Sequence, residues 1–186
     1  MRQPTNLGTV EEGPDAETPP SAILGDPLVH HMTRKSDLQP LKRLVGAWLT
    51  EGTHPARPGL VIRGTSTFEW LEGQQFLIQR ARTDQAEFPD SMTITGFVDR
   101  DRAEPSDGDD ASMAMHYYDS RGVFRTFNAA IDDKEWRVWN DSPGFAQRFT
   151  GTFADGGSTI SVVTLLCTDG STWKDDLELT YRRLKA

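Results

Sequence analysis

Cysteine is nearly absent from this chain of 186 residues. The single Cys167 cannot close an internal disulfide, and no cysteine-built metal cluster can form, so a reducing cytoplasm is the compartment that fits. Inside the β-branched run 160–167 it reads as a buried structural thiol rather than a nucleophile. Long apolar runs are missing as well. No stretch approaches the roughly 18 apolar residues of a membrane span, and the N-terminus lacks the basic start and apolar run of a secretory leader. A cytoplasmic protein that is neither secreted nor membrane-anchored is therefore expected. Basic charge is in deficit, with 20 Lys and Arg against 28 Asp and Glu and a net charge of -8. Such a balance disfavours a phosphate-backbone footprint, so nucleic acid is not an expected partner. Catalytic signatures are lacking too: there is no Gly-x-Ser-x-Gly, no His-Glu-x-x-His, no phosphate-cradling glycine loop and no dinucleotide fingerprint. The residues themselves imply no cofactor and no metal.

What is present is alternation. From Thr172 to Tyr181, positions 172, 174, 176, 178 and 180 are polar, while 173, 177, 179 and 181 are apolar with Asp175 as the intruder. That is the period of a half-buried β-strand. About ten such runs follow one another, near 46–53, 60–70, 75–83, 91–100, 112–118, 123–131, 134–140, 145–154, 158–168 and 171–183. Short turns separate them, among them Glu72-Gly73, Asp119 to Gly122, Asp132-Asp133, Ser142-Pro143-Gly144, Asp155 to Gly157 and Asp169-Gly170. Tight turns imply sequential pairing, and closing the meander removes its unpaired edges. The predicted fold is all-β: an antiparallel up-and-down barrel of about ten strands with one short N-terminal plug helix.

Two domain-level segments are expected, a flexible arm over residues 1–35 and a barrel domain over 36–186. The arm is rich in proline and polar residues and cannot bury enough apolar surface to order itself. Its patch Ile23, Leu24, Leu28 and Val29 could strap across the barrel mouth, and its His30-His31 pair reads as incidental. Ser36 to Gln39 has capping-box spacing with Pro40 in the first turn, predicting a helix to about Val45 whose leucines close one barrel end. The acidic loop Asp101 to Asp110 lacks the ligand spacing of a calcium loop and reads as solvated.

The arrangement Leu44-Val45-Gly46-x-Trp48-x-x-x-Gly52, then Phe68-Glu69-Trp70-Leu71-Glu72-Gly73-Gln74-Gln75-Phe76-Leu77, resembles the calycin superfamily. More closely it is similar to a bacterial lipocalin-like family, domain of unknown function 1579, related to nitrobindin. The likeness spans about residues 38–184. It implies that Trp48 packs across the closed end beneath a basic side chain of the last strand, for which Arg183 has the right alternation; both would be architectural. Nitrobindin-like proteins bind haem through a histidine of the late strands. This chain has only His30, His31, His54 and His116, with none from 117 to 186, so haem lacks its ligand here. His116 would face outward if Met113, Met115 and Tyr117 face inward.

Asp175 is the candidate functional residue, because an ionised carboxylate in an apolar row must be paired, protonated or near water. Arg80 and Arg125 are its candidate partners, with Gln147 between Phe145 and Phe149 and the Tyr117 hydroxyl beside them. Together with Met115, Phe127 and Phe149 they would form an apolar lumen with a few fixed polar groups, the usual construction of a small-molecule site. The alternative is that Asp175 lies solvated at the rim, with Arg80 and Arg125 outside, since a one-residue slip reverses every facing.

Three functions follow from this reading. The first is binding of a small hydrophobic or amphipathic molecule in the lumen. The second is proton-transfer chemistry of the isomerase or cyclase type, with Asp175 as acid or base and Arg80 or Tyr117 stabilising charge. Haem binding follows from the resemblance alone. Homodimerisation through outward aromatic residues, including one of Trp136 or Trp139, is a further option.

Overall fold

The computed structural model describes residues 38–97 and 113–185. The arm with His30 and His31, the residues of the capping box before Leu38 and the acidic loop lie outside the described residues.

Ten strands form a closed antiparallel barrel: β1 (Gly46–Thr53), β2 (Ile62–Trp70), β3 (Leu77–Thr83), β4 (Ser91–Phe97), β5 (Met113–Asp119), β6 (Phe124–Ile131), β7 (Glu135–Ser142), β8 (Phe145–Ala154), β9 (Thr159–Cys167) and β10 (Lys174–Arg183). Each strand pairs with its sequence neighbour, and β1 pairs with β10 to close the ring. Strict alternation makes this possible. In β2, Ile62, Gly64, Ser66 and Phe68 are buried, while Arg63, Thr65, Thr67 and Glu69 face solvent. Aspartates fix three of the hairpin turns by accepting backbone N–H groups just ahead of them. Asp119 takes Arg121 N and Val123 N, Asp132 takes Lys134 N and Glu135 N, and Asp169 takes Ser171 N and Thr172 N.

The plug is shorter and tighter than the expected helix. Gln39–Arg43 is a single stretch of 3₁₀-helix, and its N-cap Leu38 makes no side-chain cap. The leucine spacing explains the difference. Leu38, Leu41 and Leu44 are three apart, a spacing that eclipses them directly at three residues per turn, and all three are buried. Leu41 N bonds Leu38 O at 3.0 Å and Leu44 N bonds Leu41 O at 2.9 Å.

Trp48 is fully buried behind this turn and donates Nε1–H to Leu44 O at 2.8 Å. The guanidinium of Arg183 lies 4.1 Å from the centre of its ring. Arg183 also donates Nη1 to Val45 O at 2.6 Å and Nη2 to Arg43 O, tying the last strand to the plug. Gly46 has a φ of +125°, and a Cβ there would meet Arg183 Nη1, so glycine answers two requirements at this position.

Above this end the interior is filled rather than hollow. Phe68 and Trp136 pack edge to face at 5.7 Å, Trp136 and Phe149 at 4.7 Å, and Trp48 and Tyr181 at 6.3 Å. Gln79 threads one polar connection through the core, donating to Ser66 Oγ at 3.0 Å and Tyr181 OH at 3.5 Å while accepting from Thr93 Oγ1 at 3.3 Å. Burial pushes the Tyr181 phenol up to about 12.

Candidate functional site at the open end

The last strand changes parity partway along. β10 pairs Asp175 with Leu165 but Glu178 with Val163, so two residues, Asp176 and Leu177, stand opposite Thr164 alone. This is a β-bulge, and one extra residue exchanges the two faces of the strand. Below it, Leu179, Tyr181 and Arg183 face inward; above it, the inward carboxylate is Asp176. Asp175 is exposed on the outer face, which corrects its expected place in the lumen. Trp173 moves outside for the same reason and stacks beneath Arg148 at 4.2 Å.

Close backbone approach accompanies the bulge. A Cβ on Gly52 would run into the Glu178 carbonyl oxygen, so only glycine lets β1 pass there.

Asp176 gathers two neighbours. Its Oδ1 lies 3.0 Å from His54 Nε2, and its Oδ2 accepts from Gln147 Nε2 at 3.0 Å. Ala56 N–H donates to His54 Nδ1 at 3.0 Å. An acceptor Nδ1 places the proton of the neutral ring on Nε2, aimed at the carboxylate. The Asp176 side chain is 17% exposed, so water reaches it.

Farther round the rim, Arg125 stacks its guanidinium 3.7 Å from the centre of the Phe145 ring. Among the described residues it has no ion-pair partner. Asn140 lies below, on the inward row with Trp136 and Val138 and opposite Gln147 on β8. It is 7% exposed, and its Oδ1 is buried with no hydrogen-bond partner among the described residues. Tyr117 pairs with Arg125 across β5 and β6, and its hydroxyl donates to Asp119 Oδ2 at 3.0 Å. Burial and the Asp119 carboxylate push the Tyr117 phenol up to about 12. The Arg121 guanidinium, 2.6 Å from Asp119 Oδ2, holds that carboxyl well below the usual carboxylate range.

Gln147, Arg125, Tyr117, Phe127, Phe149 and Met115 all lie on inward rows, the first three at the open end and the others beneath them. Arg80 does not join them. It is on the outer face of β3, ion-paired with Glu69 of β2, because Leu77 and Gln79 take the inward positions of that strand. Arg80 instead borders a cleft of about 310 Å³ beside the rim, with Arg82, Asp90, Met92, Tyr118 and Ser120. Trp136 is buried in the core, and Trp139 lies half-buried on the outer face.

His54 and Asn140 escaped sequence reasoning. Asn140 was readable, since Trp136-x-Val138-x-Asn140 is one alternating face; His54 follows the end of β1, where alternation says nothing.

Haem does not fit these residues. His116 faces outward, stacked on Phe124 and 3.2 Å from Thr126 Oγ1, and both ring nitrogens of His54 are engaged. Among the described residues no inward histidine of the late strands offers an axial nitrogen, and no group of three metal-binding side chains occurs. No helix among them is long and apolar enough to cross a membrane.

The arrangement of strands defines a calycin-like barrel. The chain is similar in structure to Rv2717c from M. tuberculosis, whose crystal structure it matches with a TM-score of 0.54 at 12% identity, over 80% of this chain and 98% of that one. A second match is the S-type phycobiliprotein lyase CPES from Guillardia theta, with a TM-score of 0.46 at 9% identity, over 86% of this chain and 97% of that one. At such identities the likeness to Rv2717c is one of fold. No family model and no curated protein matches the chain.

Proposed function

We propose that the protein binds a small amphipathic molecule in the open half of the barrel. One observation carries this reading: the inward side chains divide by depth. Trp48, Ser66 and Ile160 at the closed half are shut off from water, whereas Tyr117, Arg125, Phe145, Gln147 and Phe149 are only half-buried although they too face inward. A concavity with an aromatic floor and a few oriented polar groups is the usual form of a small-molecule site. Arg125, Gln147 and Asp176 supply the polar groups; Phe127, Phe149 and Met115 supply the floor. Kinship with the domain-of-unknown-function 1579 proteins rests on the stretches 44–52 and 68–77 alone.

Proton-transfer chemistry has less support. Asp175 lies outside, and the inward carboxylate Asp176 is already occupied by His54 and Gln147.

Titration with the neutral dye N-phenyl-1-naphthylamine tests the binding reading. Saturable emission at one dye per chain is expected, and it should vanish in Gln147→Trp, which fills the open half. Undiminished binding by that variant eliminates the site.

A further inference from the structure

We propose that the open half selects an anion: a planar aromatic acid, carboxylate or sulfonate, that carries an N–H or O–H donor beside the acidic group. The proposal rests on the binding reading above and names the chemistry of the ligand.

Two unmet demands on the inner wall carry it. Arg125 presents a cation at the rim with no carboxylate paired to it among the described residues. Its flat face is covered by Phe145, which leaves the N–H edge of the guanidinium as the part able to bind. Held flat in this way, the fork matches the two oxygens of a carboxylate or sulfonate. The other carboxylates of the open end are committed elsewhere. Asp119 is taken by Arg121 and the turn amides, and Asp176 by His54 and Gln147.

Asn140 makes the second demand. A buried oxygen without a donor costs free energy, and few such groups persist without a reason. Asn140 Oδ1 is such an oxygen, on the inward row one step deeper than Arg125 and beside Gln147. A ligand whose acidic group meets Arg125 would therefore satisfy the wall by turning a donor toward Asn140. Its apolar body would lie on Phe127 and Phe149, where aromatic edges favour a flat ring.

Asp176 sharpens the selection. A cationic ligand would meet a carboxylate whose two oxygens already accept one hydrogen bond each, whereas Arg125, among the described residues, has no hydrogen bond to give up.

A matched pair of dyes separates the proposal from the reading it rests on. 1-Anilinonaphthalene-8-sulfonate has the fused ring, the anilino N–H and a sulfonate; N-phenyl-1-naphthylamine has the same ring and N–H without the anion. The wild-type protein should bind the sulfonate about tenfold or more tightly than the neutral dye, as a charge-assisted hydrogen-bonded pair allows. Arg125→Met should remove that preference, so that the two dyes bind within about twofold of each other, and an unchanged far-ultraviolet circular dichroism spectrum shows that the variant is folded. Arg125→Lys keeps the charge but loses the flat fork and should restore only part of the preference. Asn140→Leu should weaken both dyes. Phe124→Ser, on the outer face, should change neither, and loss of sulfonate binding there would locate the dye outside and overturn the proposal. If the neutral dye binds but the sulfonate binds no better, or if Arg125→Met leaves the preference intact, the selection of anions is wrong and the barrel site stands. If neither dye binds, both readings fall.

Discussion

Asp176 Oδ1 lies 3.0 Å from Nε2 of His54, a contact made across the seam where the last strand closes on the first. A second oxygen of the same carboxylate holds Gln147, so one side chain ties the end of β1 to β8 over the top of β9. Asp176→Ala should therefore lower stability by about 2 kcal/mol, the scale of losing hydrogen bonds to a charged group. Its neighbour Asp175 is on the outside and exposed, and Asp175→Ala should stay within about 0.5 kcal/mol of wild type. Urea midpoints of the two variants measure the difference. A larger loss at Asp175 would mean that the bulge is misplaced.

The tautomer of His54 can be checked directly. With Ala56 N–H pointing at Nδ1, long-range nitrogen–proton spectra near neutral pH should show the proton on Nε2. A ring protonated on Nδ1 alone would contradict the contact to Asp176.

Arg183 should behave as a fastener rather than as a charge. Arg183→Met keeps a stem against Trp48 but strands the carbonyls of Arg43 and Val45, at a cost of about 2–4 kcal/mol. Arg183→Lys should recover little, because an ammonium cannot lie flat on the indole and reach both carbonyls. Denaturation followed by tryptophan emission reads both. Full stability in the lysine variant would show that position 183 needs only a positive charge.

Acid and alkali should act at different places. The folded carboxyl of Asp119 is held below its unfolded value by Arg121, so it adds stability above about pH 4 that is lost as pH falls further. Asp119→Asn should flatten the acid limb of a stability profile. Tyr117 and Tyr181, raised to about 12 from 10.0, add stability that is whole below pH 10 and declines as pH rises from there toward 12. Ultraviolet titration should show two phenols ionising late and together with unfolding. Early ionisation of both without unfolding would place them in water.

Much of the architecture was legible because it depends on period alone. The inward rows of β5, β6 and β8 follow from Met115 and Tyr117, Arg125 and Phe127, and Gln147 and Phe149 standing two apart. The candidate site was legible in its residue types but not in its facings. Asp175 and Trp173 were misplaced because a bulge leaves no mark on composition; the run 172–181 looks regular, and its irregularity becomes visible only against the partner strand. Arg80 was misplaced for another reason. Ile78 and Gln79 are both buried, so β3 offers two plausible phases, and only pairing with β2 and β4 decides between them. The helix shortened because the leucine spacing of three suits the tighter turn as well as it suits an amphipathic face.

The doubled pair opposite Thr164 also makes the barrel unusually easy to rewrite. Removing Asp176 there would restore regular pairing and set Leu177 on the inner wall opposite Thr164 in its place, with Asp175 still outside and the lower half of β10, with Tyr181 and Arg183, keeping its place. The chemistry of the mouth and the integrity of the base are thus separable by one codon. Descendants of this chain could exchange what they hold without relearning how to fold.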